Sequence, residues 1–136
     1  MRRRGLAGAR VGMCVVAIVT VAACGDEGQA SPVTVATFEV AGGETFKIEL
    51  TTPDLIDHAQ RLLQGEAISA IPIGTVVRGE PGVNEPWSWH VDPGTLEFAD
   101  FAIEVCDGLP SYVEDGTVTS DQYCPWTATV IAVGEV

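Results

Sequence analysis

Basic side chains are scarce in this sequence. Its 136 residues hold 7 lysines and arginines against 19 aspartates and glutamates, for a net charge of −12. Beyond residue 23 only Lys47, Arg61 and Arg78 remain against all 19 acids, which leaves a net charge of −16. Nucleic-acid binding needs clustered lysine and arginine, so this composition excludes it. The negative charge favours a cationic partner instead, either a metal ion or a basic peptide or protein.

Several residue patterns that carry common chemistries are also missing. Only two histidines are present, His58 and His90, so a histidine-rich copper or zinc site is not expected. The sequence contains no CxxC pair, no G-x-S-x-G turn and no EF-hand loop. It therefore predicts no cofactor and assigns no metal ligand.

No apolar run reaches the roughly 20 residues that a membrane-spanning helix needs. Residues 11–23 form a run of 13 that follows four arginines and ends in small residues directly before Cys24. The arrangement resembles a bacterial lipoprotein signal with its lipobox. The resemblance implies cleavage before Cys24, a diacylglyceryl group on its sulfur and anchoring to the extracytoplasmic side of the cell membrane. Simple secretion with a free Cys24 thiol is the alternative.

These boundaries divide the chain into a signal peptide (1–23), a flexible tether (24–32) and a single domain (33–136). If the lipid occupies Cys24, only Cys106 and Cys124 remain in the domain. In an oxidising compartment such a pair predicts a structural disulfide, which contributes about 3 kcal/mol in the chain-entropy model.

Alternating and helical periodicities predict the secondary structure. A β-hairpin is expected over residues 33–50, with a glycine-rich turn between its strands. A helix follows from an N-cap at Thr52 to Gly65, with His58 on its solvent side. Further strands are expected over residues 71–78, 87–91, 96–105 and 126–133.

The third of these later strands changes its apolar phase. Phe98 belongs to one phase, whereas Phe101, Ile103 and Val105 belong to the other, which predicts a bulge or bend near residues 99–100. One helix cannot cover both faces of a sheet of five or six strands. The predicted fold class is therefore α+β, a mainly antiparallel β-sheet or curled half-barrel with one amphipathic helix on one face and one disulfide.

The densest chemical segment is W-S-W-H-V-D-P, residues 87–93. Strand alternation places its two tryptophans on one face and its serine, histidine and aspartate on the other. Either the tryptophans belong to the core and the polar side chains form a surface site, or the tryptophans line an exposed shelf for a ligand; core packing of at least one is favoured. The candidate ligand-binding residues are Trp87, Ser88, Trp89, His90 and Asp92.

No catalytic residue is predicted. Side chains at i, i+2 and i+4 of a strand are spread along it, whereas the members of a hydrolytic triad converge from separate elements. A small hydrolase that uses His90 and a carboxylate remains an alternative. A second alternative is a protease-inhibitor-like recognition module that uses the disulfide-stapled loop, residues 107–123. The favoured function is a lipid-anchored extracytoplasmic binding protein.

Four motifs occur in a fixed order: F-E-V at residues 38–40, W-S-W-H-V-D-P at 87–93, E-V-C-D at 104–107 and C-P-W at 124–126. Together they resemble a family of small exported bacterial domains without an established function, over residues 36–131. The resemblance implies an extracellular setting and supports a Cys106–Cys124 disulfide. It implies no catalytic residues.

Overall fold

A computed structural model describes residues 30–136. The signal peptide, Cys24 and most of the tether lie outside the described residues, and within the described range no helix is long and apolar enough to span a bilayer. The strands are β1 (Thr34–Glu39), β2 (Thr45–Glu49), β3 (Ile71–Arg78), β4 (Trp89–Val91), β5 (Glu97–Ala99), β6 (Gln122–Tyr123) and β7 (Thr129–Glu135). The helices are α1 (Pro53–Leu63) and α2 (Pro110–Glu114), with short 3-10 turns at Pro93–Thr95 and Glu104–Cys106.

The first sheet has the order β2-β1-β7 and is antiparallel throughout. The predicted hairpin is confirmed, with Phe38 opposite Phe46 across β1 and β2. Its turn uses Gly42 and Gly43 at φ values of 107° and 87°, which side chains other than glycine rarely adopt. The β1–β7 register shifts by one residue between Thr37 and Phe38, so β7 carries a bulge there.

The second sheet is built on β3, which pairs with β4, β5 and β6. The 3-10 turn Pro93–Thr95 separates β4 from β5, and these two short strands pair with opposite ends of β3. Gly74 lies at the interruption, where a Cβ atom would come within 2.3 Å of Val91 Cγ1. Only glycine therefore fits at this position without displacing its surroundings.

The α+β class and the antiparallel pairing are confirmed, whereas the strand count is corrected. Seven strands in two sheets replace the expected five or six strands in one. Proline accounts for part of the difference, because Pro93 opens the turn that splits one predicted strand from the next. The last strand also begins at Thr129 rather than Trp126, since Pro125 precedes a turn there.

Helix α1 begins as predicted. Thr52 Oγ1 accepts a hydrogen bond from the Leu55 backbone N–H at 3.2 Å, and Pro53 occupies the first turn. The helix packs against β7 and buries Ala59. The expectation of a solvated His58 is wrong: its ring stacks on Phe98 with centroids 4.4 Å apart, and its Nε2 lies 2.7 Å from the Ser69 carbonyl oxygen.

An aromatic cluster joins the two sheets. Phe38 and Phe46 of the first sheet stack with ring centroids 5.1 Å apart. Tyr123 of the second sheet lies edge-on to Phe46 at 5.3 Å and edge-on to Trp89, also at 5.3 Å. All four side chains are fully buried, so this cluster forms the centre of the core.

Candidate functional site

The tryptophan-histidine segment is less regular than its alternation predicts. Strand β4 starts at Trp89, so Trp87 and Ser88 precede it. Trp89 is only 1% exposed, which confirms the core role expected of at least one tryptophan. Trp87 is half-buried, and its indole Nε1–H donates to the Thr45 carbonyl oxygen at 2.8 Å. An open shelf formed by both rings is therefore excluded.

The three polar side chains of this segment each contact a different part of the fold. Ser88 donates from its backbone N–H and from Oγ to the Glu114 carboxylate, both at 2.9 Å. The His90 ring Nδ1 contacts the Glu80 carbonyl oxygen. Asp92 Oδ1 accepts from the Gly94 N–H at 2.9 Å and caps the following 3-10 turn. The structure does not bring the three together, and their role in ligand binding stays a prediction.

The carboxylates do not assemble into a metal centre within residues 30–136. No group of three or more histidine, cysteine, aspartate or glutamate side chains in this range is placed to hold a metal ion. The charge argument for a cation thus gains no geometric support, whereas the argument for a basic peptide or protein is unaffected.

The predicted disulfide is confirmed between Cys106 and Cys124. The loop that it closes is folded against the body of the domain rather than projecting from it. Its helix α2 buries Pro110 and Val113. The Arg78 guanidinium donates to the carbonyl oxygens of Val113 and Val118, both at 2.7 Å. This packing disfavours an inhibitor-like role for the loop, because such a role needs a protruding, accessible backbone.

Two bidentate serine–glutamate contacts fasten the same region, and sequence reasoning missed both. Besides the Ser88–Glu114 pair, Glu44 in the β1–β2 connection accepts from the Ser111 N–H at 2.9 Å and from Ser111 Oγ at 2.7 Å. Ser111 lies in the first turn of α2, where a carboxylate satisfies an otherwise unpaired donor. The partners are 67 residues apart in sequence, so no local motif reveals them.

Tyr123 closes the inner side of the stapled loop. Its hydroxyl donates to the Gly108 carbonyl oxygen at 2.9 Å. Burial raises the pKa of Tyr123 far above its ordinary value, and the nearby Asp107 and Glu44 carboxylates raise it further. The phenol is therefore held in its neutral form.

This raised pKa predicts a loss of stability in alkali. The phenol in the unfolded chain ionises near pH 10, whereas the native phenol keeps its proton, so the unfolded state gains above that pH. We expect the native protein to lose about 1.4 kcal/mol per pH unit above pH ~10 relative to Tyr123→Phe. Urea unfolding of both proteins between pH ~8 and ~11 measures the difference, and parallel curves would contradict the assignment.

An apolar ridge lies just before the disulfide. It consists of Phe101, Ile103 and Val105, whose exposed fractions are 85%, 66% and 68%. The predicted bend is confirmed at Asp100, but the expectation that these side chains continue a strand is wrong, since β5 ends at Ala99. Contiguous exposed apolar side chains of this size commonly mark interaction sites.

The ridge is fixed at both ends. Asp100 Oδ1 accepts from Ser69 Oγ at 2.9 Å before it, and the disulfide holds Cys106 after it. The Ile103 carbonyl oxygen lies 3.3 Å from each disulfide sulfur. These contacts restrict the segment before any partner binds, so less entropy is lost on association.

A cavity of about 320 Å³ adjoins the ridge. Phe101 and Ile103 form part of its lining, together with Ile73, Glu97, Ala102 and Gln122. Glu97 is the register partner of Ile73 across β3 and β5, and Gln122 is the register partner of Thr75 across β3 and β6. The arrangement supplies apolar contact area with a single carboxylate beside it.

Comparison with known proteins gives one family and no individual relative. No curated protein and no solved structure matches this chain. The family model that matches describes the N-terminal domain of BP-74, and it covers residues 32–136, which include both sheets, the disulfide and the apolar ridge. The chain therefore belongs to the BP-74 N-terminal domain family.

Proposed function

We propose that this protein is a lipid-anchored recognition module outside the cytoplasm that binds a basic protein or peptide. The observation that carries the proposal is the apolar ridge, Phe101, Ile103 and Val105, held out from a strongly acidic domain. Apolar contact supplies affinity in protein interfaces, and surrounding charge selects the partner and speeds encounter. A partner with an apolar surface rimmed by lysine and arginine fits both requirements.

The environment proposed for the protein agrees with its construction. A disulfide within the domain suits an oxidising compartment. The lipobox-like sequence before Cys24 supplies an anchor, and residues 24–32 would act as a tether of at most about 30 Å when fully extended. The domain would then meet partners close to the membrane surface. Replacing Cys24 with serine should move the protein from the membrane fraction to the soluble fraction.

A hydrolase remains the weaker candidate. His90 contacts a backbone carbonyl oxygen, and no hydrogen bond joins its ring to a carboxylate within residues 30–136. General acid–base catalysis needs a positioned group within hydrogen-bond reach of the reacting atoms. The recognition role needs no such group, so the geometry favours it.

Peptide binding tests the recognition role. We expect the full chain, purified in a neutral detergent, to bind a labelled peptide that alternates lysine and leucine, measured by fluorescence anisotropy. Binding should weaken as salt is added, because exposed charges are screened. A matched peptide with glutamate in place of lysine is the control and should not bind. Equal affinity for the two peptides would contradict the proposed partner.

A further inference from the structure

The cavity beside the apolar ridge joins an apolar lining to an accessible negative charge. Its apolar side chains are Ile73, Phe101, Ala102 and Ile103, and its carboxylate is that of Glu97. We propose that this cavity is the anchor pocket for one apolar side chain of the basic partner, with a neighbouring lysine or arginine of that partner paired to Glu97. The inference rests on the proposed function and assigns the contact that determines it.

The size and lining of the cavity suit a side chain. Its volume of about 320 Å³ is at the lower end of the range of ligand pockets, ~300–1,000 Å³. The lining is formed by aliphatic and aromatic groups of β3 and of the ridge. Interfaces draw most of their affinity from a few anchors that fill such pockets, so a leucine, isoleucine or phenylalanine is the expected occupant.

Charge selects among the occupants that an apolar pocket could take. Within residues 30–136 both ion pairs belong to Arg61, so Glu97 has no cationic partner in that range. Asp100 and Glu104 flank the ridge in sequence and are exposed. An anionic bilayer or a second copy of this acidic chain would be repelled, whereas a basic segment would be attracted.

Loss-of-binding variants test the pocket directly. We expect Phe101→Ser and Ile103→Ser each to weaken binding of the lysine–leucine peptide by about tenfold, because each removes part of the lining. Glu97→Gln should weaken it by about fivefold or less and reduce its salt dependence, as for an exposed ion pair. Ile131→Ser is the matched control, since Ile131 is 46% exposed on β7 of the other sheet. The control should bind as the native protein does.

Each result bears on one of the two proposals. Phe101 and Ile103 are exposed, so their variants should keep the native melting temperature, and retained melting with lost binding supports the pocket. Binding that survives in the pocket variants but falls in Ile131→Ser overturns the pocket and leaves the proposed function standing. Failure of every basic peptide to bind overturns both. Ridge-dependent binding to neutral phosphatidylcholine vesicles, or ridge-dependent self-association, would instead assign the ridge to a bilayer or a second copy and overturn the inference.

Discussion

Replacing Trp89 with alanine should cost about 3–5 kcal/mol of unfolding free energy, the usual range for a fully buried tryptophan. Trp89 is 1% exposed and joins the two sheets through Tyr123 and Phe46, whose ring centroids lie 5.3 Å and 6.3 Å from its own. Its removal would leave a cavity where the sheets meet. Chemical denaturation followed by far-UV circular dichroism measures the loss.

Two further variants make the result specific to packing. The Trp89 indole Nε1–H is buried without a hydrogen-bond partner among the described residues, so Trp89→Phe removes an unsatisfied donor while keeping an aromatic ring. Trp89→Phe should therefore cost clearly less than Trp89→Ala. Trp126→Ala truncates a ring that is 46% exposed and should cost less than about 1 kcal/mol. A Trp89→Ala loss no larger than that of Trp126→Ala would show that the aromatic cluster does not hold the sheets together.

Removing the disulfide is the second large expected effect. The double variant Cys106→Ala, Cys124→Ala should lose about 3 kcal/mol, because the bridge closes a loop of sequence separation 18 and restricts the unfolded chain. Both positions are buried, so the double substitution leaves two small apolar side chains and no free thiol in the domain. Thermal unfolding of the native and double-variant proteins measures the difference.

The disulfide variant also separates stability from recognition. The bridge is the downstream support of the apolar ridge, so its loss should weaken peptide binding even below the melting temperature. Reduction of the native protein with dithiothreitol should reproduce both effects. Unchanged melting in the double variant would mean that the stapled loop is held by its hydrogen bonds alone, chiefly those from Arg78.

Elements with local signals were predictable from the sequence. The hairpin follows from strict alternation around Gly42 and Gly43, and α1 follows from Thr52, Pro53 and one apolar stripe. The Cys106–Cys124 bridge follows from the export signal and the cysteine count. Each of these inferences needs only neighbouring residues or composition, which is why they were correct.

Features that depend on distant residues were not predictable in the same way. Alternation in Phe101, Ile103 and Val105 looks like that of a buried strand, and only the end of β5 at Ala99 shows that no partner strand continues beside it. Ser88 was expected on a free face, but Glu114, 26 residues away, occupies both of its donors. The candidate site moved to the ridge because tertiary contacts decide which apolar residues stay exposed.

The contact between Glu44 and Ser111 sets an order on folding. Helix α2 has five residues, far below the ~12–15 that an isolated helix needs to persist in water. Its first turn obtains a carboxylate acceptor from the β1–β2 connection. The hairpin must therefore be formed before α2 can be retained, so α2 is a late-forming helix that the early-forming hairpin stabilises.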